Sequence, residues 1–477
     1  MSERTFGART SVPPDVYSPE RRTALVLTGT GTAGVYHAGV LRALHEAGVK
    51  IDVVAGQGIG AVGALLTAID GAQRLWEPHG FWRSPRVRLM YDWRPALRAS
   101  AWALFTAVVL VAVPLLLMAA GLVVFPLDFL LQVVGVSAGG GLVATYLGLA
   151  QAAVASTALP TWLPRLVLLV LGTAAIIVAV DGWLLGGSRR LRGPFWWRIL
   201  RSPMSASSAV DHSWTVLWDL LRGAAQLKRP TAADVGRRYT ELLSENLGQP
   251  GFRELVLIAH DIDTGRDILF ALVSESRRRG LIRRATTRDA AERRAEIVDL
   301  SGVARDHLTD ALAAALAVPL ITEPHTISFA AADYWRGEAH RLCDRPSSLA
   351  RLIEEVAYLD VEQVVLLSAA PESPGPHALR RPRVDGRGRI GEYLQSSEAA
   401  SVRDVLKNAA TRGIRVFVVR PTHNPIGPFD FAGGFDDRSD RTQHLSELMS
   451  RGYEDAYHQF IEPVLGASGE RVGQKTT

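Results

Sequence analysis

The sequence predicts an α/β domain interrupted by a membrane hairpin, on three grounds. Short apolar strands recur on both sides of the chain's middle. Two of them run straight into glycine-rich turns followed by helix-like stretches, the pattern of a parallel α/β sheet. Between the two sets of strands, residues 101–186 form an apolar segment almost free of charge.

The first strand is Thr23 to Thr28 (TALVLT). It enters the turn Gly29-Thr30-Gly31-Thr32-Ala33-Gly34, and a helix then runs through Ala47 with Gly48 as its stop. The second strand, Ile51 to Ala55, feeds Gly56-Gln57-Gly58-Ile59-Gly60 and a small-residue helix from Ala61 to Ile69. After the apolar segment come Glu254 to Ala259 and its hairpin partner Asp267 to Val273, joined by Asp261-Ile262-Asp263-Thr264-Gly265. Val364 to Ser368 and Arg415 to Val419 read as two further buried strands. Helices are expected over 303–317, 347–358, 396–411 and 443–462. The arginine-rich stretch 277–294 reads as a solvated face.

The 477-residue chain has a mean hydropathy of +0.10, an excess that lies in the apolar segment. Ala101 to Phe125 alone can span a hydrocarbon core of ~30 Å at ~1.5 Å per residue. A second strong stretch runs from Leu166 to Leu185, marred by Asp181. The part between, Phe129 to Pro164, is softer and broken by Gly139-Gly140-Gly141, Pro160 and Pro164. Arg83, Arg86, Arg88, Arg94 and Arg98 precede the segment; Arg189, Arg190, Arg192, Arg198 and Arg201 follow it. Basic flanks stay cytosolic, so the number of crossings is even. Two spans with a re-entrant middle piece is the simplest arrangement; four short spans, or a soluble core-helix pair, are the alternatives.

The expected division is a disordered N-terminus (1–20), a first domain part (21–98), a transmembrane insertion (99–187), a second domain part (188–465) and a disordered tail (466–477). Residues 1–20 are polar and have no apolar core, unlike a signal peptide. The net charge is a modest +5, and the basic residues are almost all arginine, with lysine only at Lys50, Lys228, Lys407 and Lys475. This is a compositional bias, and no nucleic-acid partner is expected. Cys343 is the only cysteine, which excludes an intrachain disulfide and a cysteine zinc site. No metal and no cofactor are expected. His37 and His260 have no second ligand at metal spacing, and Asp436-Asp437-Arg438-Ser439-Asp440 lacks the register of a calcium loop.

Gly29–Gly34 fits G-x-G-x-x-G between a strand and a helix, which taken alone reads as a dinucleotide turn. That reading expects an acidic residue at the end of the second strand, where Ala55-Gly56 stands. It is kept as an alternative function. The second turn, Gly56 to Gly60, has the frame G-x-S-x-G with glycine at the serine position.

This pair of turns resembles the patatin-like phospholipase family, with an oxyanion loop (Gly29, Thr30, Gly31, Gly34) followed by a nucleophile elbow flanked by Gly56 and Gly60. Asp261-Ile262-Asp263-Thr264-Gly265 resembles the family's aspartate-rich strand end, and Ala313 to Pro319 its small-residue helix ending in proline. Asp344 falls where the aspartate of the family's serine–aspartate dyad should fall. The resemblance implies a three-layer α/β/α sandwich with the transmembrane hairpin inserted, and a lipid acyl hydrolase ancestry. The departures imply a lost activity. Gly58 leaves the nucleophile position vacant. Asp344 is followed by Arg345-Pro346 in place of small residues, and Thr30 and Ala33 replace the usual residues of the first loop. Asp344 is then a remnant of the dyad.

The expectation is therefore a pseudoenzyme that binds membrane lipid or a membrane protein partner. It would be a multi-pass protein of a bacterial inner membrane, its soluble domain facing the cytoplasm. The alternative is an active hydrolase with a relocated nucleophile, for which Ser137, in a literal G-x-S-x-G, and Cys343, beside Asp344, are the candidates.

Overall fold

A computed structural model describes residues 17–135, 139–154, 163–185, 202–282, 295–330, 335, 337–372, 385–436 and 438–465. The chain divides into two compact units, Met1–Asp92 with Ser205–Thr477, and Trp93–Met204.

The larger unit is built on a nine-stranded mixed sheet. Its strands are β1 (Thr23–Leu27), β2 (Val53–Gly56), β3 (Glu254–Asp261), β4 (Arg266–Leu272), β5 (Ala295–Asp299), β6 (His325–Ser328), β7 (Ala339–Cys343), β8 (Gln363–Leu367) and β9 (Arg415–Val419). The order is β5-β4-β3-β2-β1-β8-β9, with β7 paired to β3 and β6 to β7. β3, β2, β1, β8 and β9 are parallel neighbours, whereas β4 and β7 run antiparallel to β3. All five residues of β1 and all four of β2 are buried, so apolar runs rather than alternation mark the central strands. A small hairpin of β10 (Gly434–Asp436) and β11 (Arg441–Gln443) stands apart.

Successive side chains of a strand point to opposite faces. Ala24, Val26, Val53, Ala55, Val256 and Ile258 share a core with Leu349, Leu352, Ile353 and Val356 of one helix and Val402 and Val405 of another. On the opposite face, Leu27 packs beneath Gly60 and Gly63 of the helix that follows β2. Both faces are thus covered. The helices of this unit are α1 (Ala33–Glu46), α2 (Gly60–Ala68), α6 (Ser207–Leu221), α7 (Ala232–Asn246), α8 (Glu275–Ile282), α9 (Leu308–Leu316), α10 (Ser348–Ala357), α11 (Gly386–Arg412) and α12 (Leu445–Ala456). α1 and α12 meet backbone to backbone: a Cβ on Gly39 would overlap the Met449 carbonyl oxygen, and one on Gly452 the Tyr36 carbonyl oxygen.

Several expectations need correction. The lead-in assigned to disorder is docked from Tyr17 onward. Tyr17 is buried and donates to the Lys50 carbonyl at 3.0 Å, and the Ser18 N–H donates to Gln363 Oε1 at 3.3 Å. α11 begins at Gly386, ten positions before the expected 396, because Asp385 caps it through the Gly388 N–H at 2.8 Å. The expected helix over 303–317 is a 3-10 turn, Val303–His307, followed by α9. The arginine-rich stretch opens with α8, and its residues 283–294 lie outside the described residues, as does the tail 466–477.

The smaller unit holds α3 (Pro95–Val133), α4 (Gly139–Val154) and α5 (Leu163–Leu185). α3 has 39 residues, ~58 Å at ~1.5 Å each, against ~30 Å for a hydrocarbon core. Its most apolar window is only 6% buried, so its leucines and phenylalanines form a surface and not a core. Among the described residues, α3 is the one helix long and apolar enough to cross a membrane. Tyr146 of α4 donates to the Leu117 carbonyl at 2.9 Å, in space left by Gly121. Asp181, the charge that mars α5, lies 3.8 Å from Arg94 at the start of α3. The chain enters and leaves this unit side by side: Trp93 and Met204 form an antiparallel bridge, and the Arg94 N–H donates to the Pro203 carbonyl at 3.0 Å.

Candidate functional site

Gly58 sits at the turn between β2 and α2 with φ +57, a left-handed conformation that L side chains rarely adopt. A Cβ built there would lie 2.9 Å from Asp344 Oδ2 and would overlap the Gly29 carbonyl oxygen. That same oxygen accepts the Ile59 N–H at 2.9 Å. Ile59 follows the position a nucleophile would occupy, and its N–H is the donor such an elbow presents to an oxyanion. Here the donor is bonded to the protein's own main chain.

The first loop is filled in the same manner. The Thr32 N–H donates to the Pro428 carbonyl at 2.9 Å, and Thr32 Oγ1 to the Gly427 carbonyl at 2.9 Å. A Cβ on Gly31 would overlap the Pro428 oxygen. The segment around 427–431 therefore lies where a phosphate would approach Gly31 and Thr32, which counts against a dinucleotide there.

Asp344 follows β7. That strand runs antiparallel to β3 and pairs with its end, which brings Asp344 to the sheet edge of the two glycine turns. The small-residue helix α9 fixes it: the Asp344 N–H donates to the Ala317 carbonyl at 2.8 Å, and the buried Tyr91 hydroxyl donates to the adjoining Leu316 carbonyl at 2.9 Å. Gln57, 287 positions away in sequence, donates through Nε2 to Asp344 Oδ1 at 3.3 Å and to the Arg345 carbonyl at 2.5 Å. Burial pushes the Asp344 carboxyl up to about 7, opposed by hydrogen bonds from Gln57, the Arg345 backbone and Thr30. Gly29, Thr30, Gly58 and Asp344 thus come together, with Gly31, Gly34, Gly56 and Gly60 in the two turns that hold them.

Glu398 of α11 also belongs to this cluster, and sequence reasoning missed it. A Cβ on Gly29 would lie 3.3 Å from both of its carboxylate oxygens. Ser368 Oγ donates to Glu398 Oε1 at 2.5 Å. Burial raises Glu398 to about 7, and the Asp344 charge adds to the rise. Nothing in the sequence singles it out, since it stands mid-helix with no motif around it. Gln57 and Tyr91 were missed as well; Gln57 could have been found from its place inside the elbow frame.

Arg345, read from sequence as a stray cation in the site, is engaged elsewhere. Its Nη2 donates to both oxygens of Asp267 at 3.1 and 3.0 Å, and its Nε to Ser348 Oγ at 3.2 Å. His260 Nδ1 lies 3.1 Å from the same Asp267. The aspartate-rich strand end is likewise satisfied by its own turn. Asp261 takes the Thr264 hydroxyl at 2.6 Å and faces His340 Nδ1 at 2.7 Å, and Asp263 pairs with Arg341 at 2.6 Å. Asp436 pairs with His423 at 2.9 Å and accepts from Arg438 N and Ser439 Oγ, which leaves its carboxylate occupied. Among the described residues no cluster of His, Cys, Asp or Glu has the makings of a metal site. His37 is buried, and burial takes its ring down to about 3, a neutral packing residue.

Of the relocated nucleophiles, Cys343 is buried and its thiol is pushed up to about 12 by that burial, so no thiolate forms at neutral pH. Ser137 lies outside the described residues.

Residues 25–113 match the family described as patatin-like phospholipase, a stretch that holds both glycine turns. Patatin-like phospholipase domain-containing protein 6 of Homo sapiens is 52% identical over 52 residues, 11% of this chain and 4% of that protein. Lysophospholipase nte1 of Aspergillus fumigatus is 48% identical over 46 residues, 9% of this chain and 3% of that protein. The match therefore spans a small part of either relative's length. The crystal structure of VipD from Legionella pneumophila aligns over 93% of this chain and 66% of that one, at 13% identity and a TM-score of 0.31, too slight a likeness to argue from. By this family match and these relatives, the chain is similar to the patatin-like phospholipase family over the stretch that holds its two glycine turns.

Proposed function

We propose that this is a membrane-anchored patatin-like protein that no longer performs serine-type hydrolysis and that binds lipid or a membrane-borne protein partner. One observation carries the reading: the Gly29 carbonyl occupies the space a side chain at 58 would need and holds the Ile59 N–H. Nucleophile and oxyanion donor are thus missing together. Asp344 is what remains of the dyad.

Ester turnover tests it. The wild-type chain should show no hydrolysis of short-chain esters above background, since loss of a nucleophile alone removes up to ~10⁶ in kcat. Gly58→Ser should recover less than ~10-fold, because a serine there needs both a strained φ, worth ~1–3 kcal/mol, and a displaced Gly29–Thr30 peptide. Wild-type turnover abolished by Ser137→Ala or Cys343→Ala would instead establish a relocated nucleophile. Turnover in Gly58→Ser matching that of an ordinary esterase would mean the site had kept everything except its serine.

The anchor is α3 with its companion helices, set in a cell inner membrane as a hairpin with both soluble parts in the cytoplasm. Arginine-rich flanks on either side and the Arg94–Asp181 pair, which joins the start of α3 to the end of α5, support an even number of crossings. Reporter fusions at Ser188 and after Thr477 should both read cytoplasmic; opposite sides would remove the hairpin.

A further inference from the structure

Two open grooves of similar size lie on the larger unit, and their charges differ. One, of ≈ 680 Å³, is lined by Arg21 and Arg415 together with Glu354 and Glu362, so its charges balance. The other, of ≈ 640 Å³, lies between the 3-10 turns at 81–89 and the start of α12. Its apolar wall includes Trp82, Val87 and Phe431; Arg83, Arg88 and His444 stand on its rim. Arg83 and Arg88 are exposed, and neither guanidinium has a hydrogen bond or ion pair among the described residues. Two free guanidiniums beside an apolar trough match an amphipathic anion. The guanidinium fork suits phosphate oxygens, and the trough suits hydrocarbon.

We propose that this groove takes an anionic phospholipid from the membrane in which α3 sits, headgroup phosphate on Arg83 and Arg88 and acyl chain along Trp82 and Phe431. This rests on the membrane-anchored reading and deepens it. Continuity of the chain selects a membrane lipid over a soluble anion. Arg88 is followed within seven residues by Pro95, where α3 begins, and a chain extends at most ~3.5 Å per residue. The ligand is retained and not hydrolysed. Trp82 lines the groove and its ring also rests on Gly34, so the site adjoins the first loop.

The test uses the full chain in a neutral, phosphate-free detergent, with calorimetric titration of dihexanoyl phosphatidylglycerol, dihexanoyl phosphatidylcholine, glycerol phosphate and inorganic phosphate. Phosphatidylglycerol should bind about tenfold or more tightly than phosphatidylcholine, and the gap should close in Arg83→Gln/Arg88→Gln. Glycerol phosphate and inorganic phosphate should bind far more weakly than the lipid. Equal affinity for the two lipids, an unaltered affinity in the double variant, or equal binding of inorganic phosphate would each overturn the site. Both arginines are exposed, so the variant should fold as wild type does, and a matching melting curve checks this. Failure of the anchor is read separately: alkaline carbonate would then extract the chain from native membranes.

Discussion

Gly39→Leu is expected to prevent the larger unit from folding. Ordinary overpacking costs ~1–3 kcal/mol because neighbouring side chains can give way. Here the obstacle is backbone on both sides: a Cβ at Gly39 meets the Met449 carbonyl, and Gly452 is held against the Tyr36 carbonyl in return. α1 also carries the first glycine loop at its N-terminus, so parting the helices displaces the loop. Total stability is ~5–15 kcal/mol, so a loss of ~3 kcal/mol would leave the chain largely folded; a backbone overlap that no side-chain movement relieves is expected to exceed that range and remove the folded state. Gly48→Ala is the control, since a Cβ there meets nothing within 4 Å, although its φ of +68 still favours glycine. Size-exclusion profiles and near-ultraviolet circular dichroism of the detergent-purified chains give the readout. A Gly39→Leu protein that elutes and melts like wild type would show that the α1–α12 contact is softer than described.

Stability should fall as pH rises from about 5 to 8, the reverse of the usual acid denaturation. Asp344 and Glu398 are both held near 7 by burial, whereas free carboxyls titrate near ~4. Between those values the folded chain binds more protons than the unfolded one. By linkage, the stabilisation is complete below ~4 and is lost as pH climbs through about 7. Two such groups amount to several kcal/mol, and each lies near enough to Gly29 that ionising one opposes ionising the other. Denaturant midpoints measured at pH 5.5 and 8 should differ in that sense. The Asp344→Asn/Glu398→Gln double variant should flatten the difference. A wild-type midpoint that rises between pH 5.5 and 8 would mean the two acids are ionised in the folded state and solvated.

How far the sequence reveals this arrangement depends on range. Local signals carry the centre of the sheet: TALVL, ELVLIA and RVFVV are apolar runs bounded by turn residues, and the structure places strands at each. The glycine frames mark the two turns because close backbone approach needs glycine whatever the surroundings. Elements that depend on distant partners were not legible. β7 is a short strand defined by its pairing to the end of β3, and its own sequence, Ala339 to Cys343, alternates too weakly to declare itself. α6 and α7 went unassigned although Thr231 is a plain N-cap accepting the Asp234 N–H at 3.2 Å. At the site, Gly58 and Asp344 were legible through their motifs. Glu398 was not, because only tertiary burial makes a mid-helix glutamate unusual. Arg345 was legible as an oddity but misread, since its partner Asp267 belongs to a strand whose position beside it no local pattern reveals.

The side-by-side exit and return at Trp93 and Met204 bears on how such a chain could arise. The Ser205 N–H donates to the Asp92 carbonyl at 3.1 Å, so the larger unit meets this junction as it would an ordinary tight turn. A loop there could lengthen by any amount without disturbing a strand or a helix of the host. On the proposed reading, acquiring a membrane address and losing the nucleophile would be separable histories, written in parts of the chain that need not have changed together.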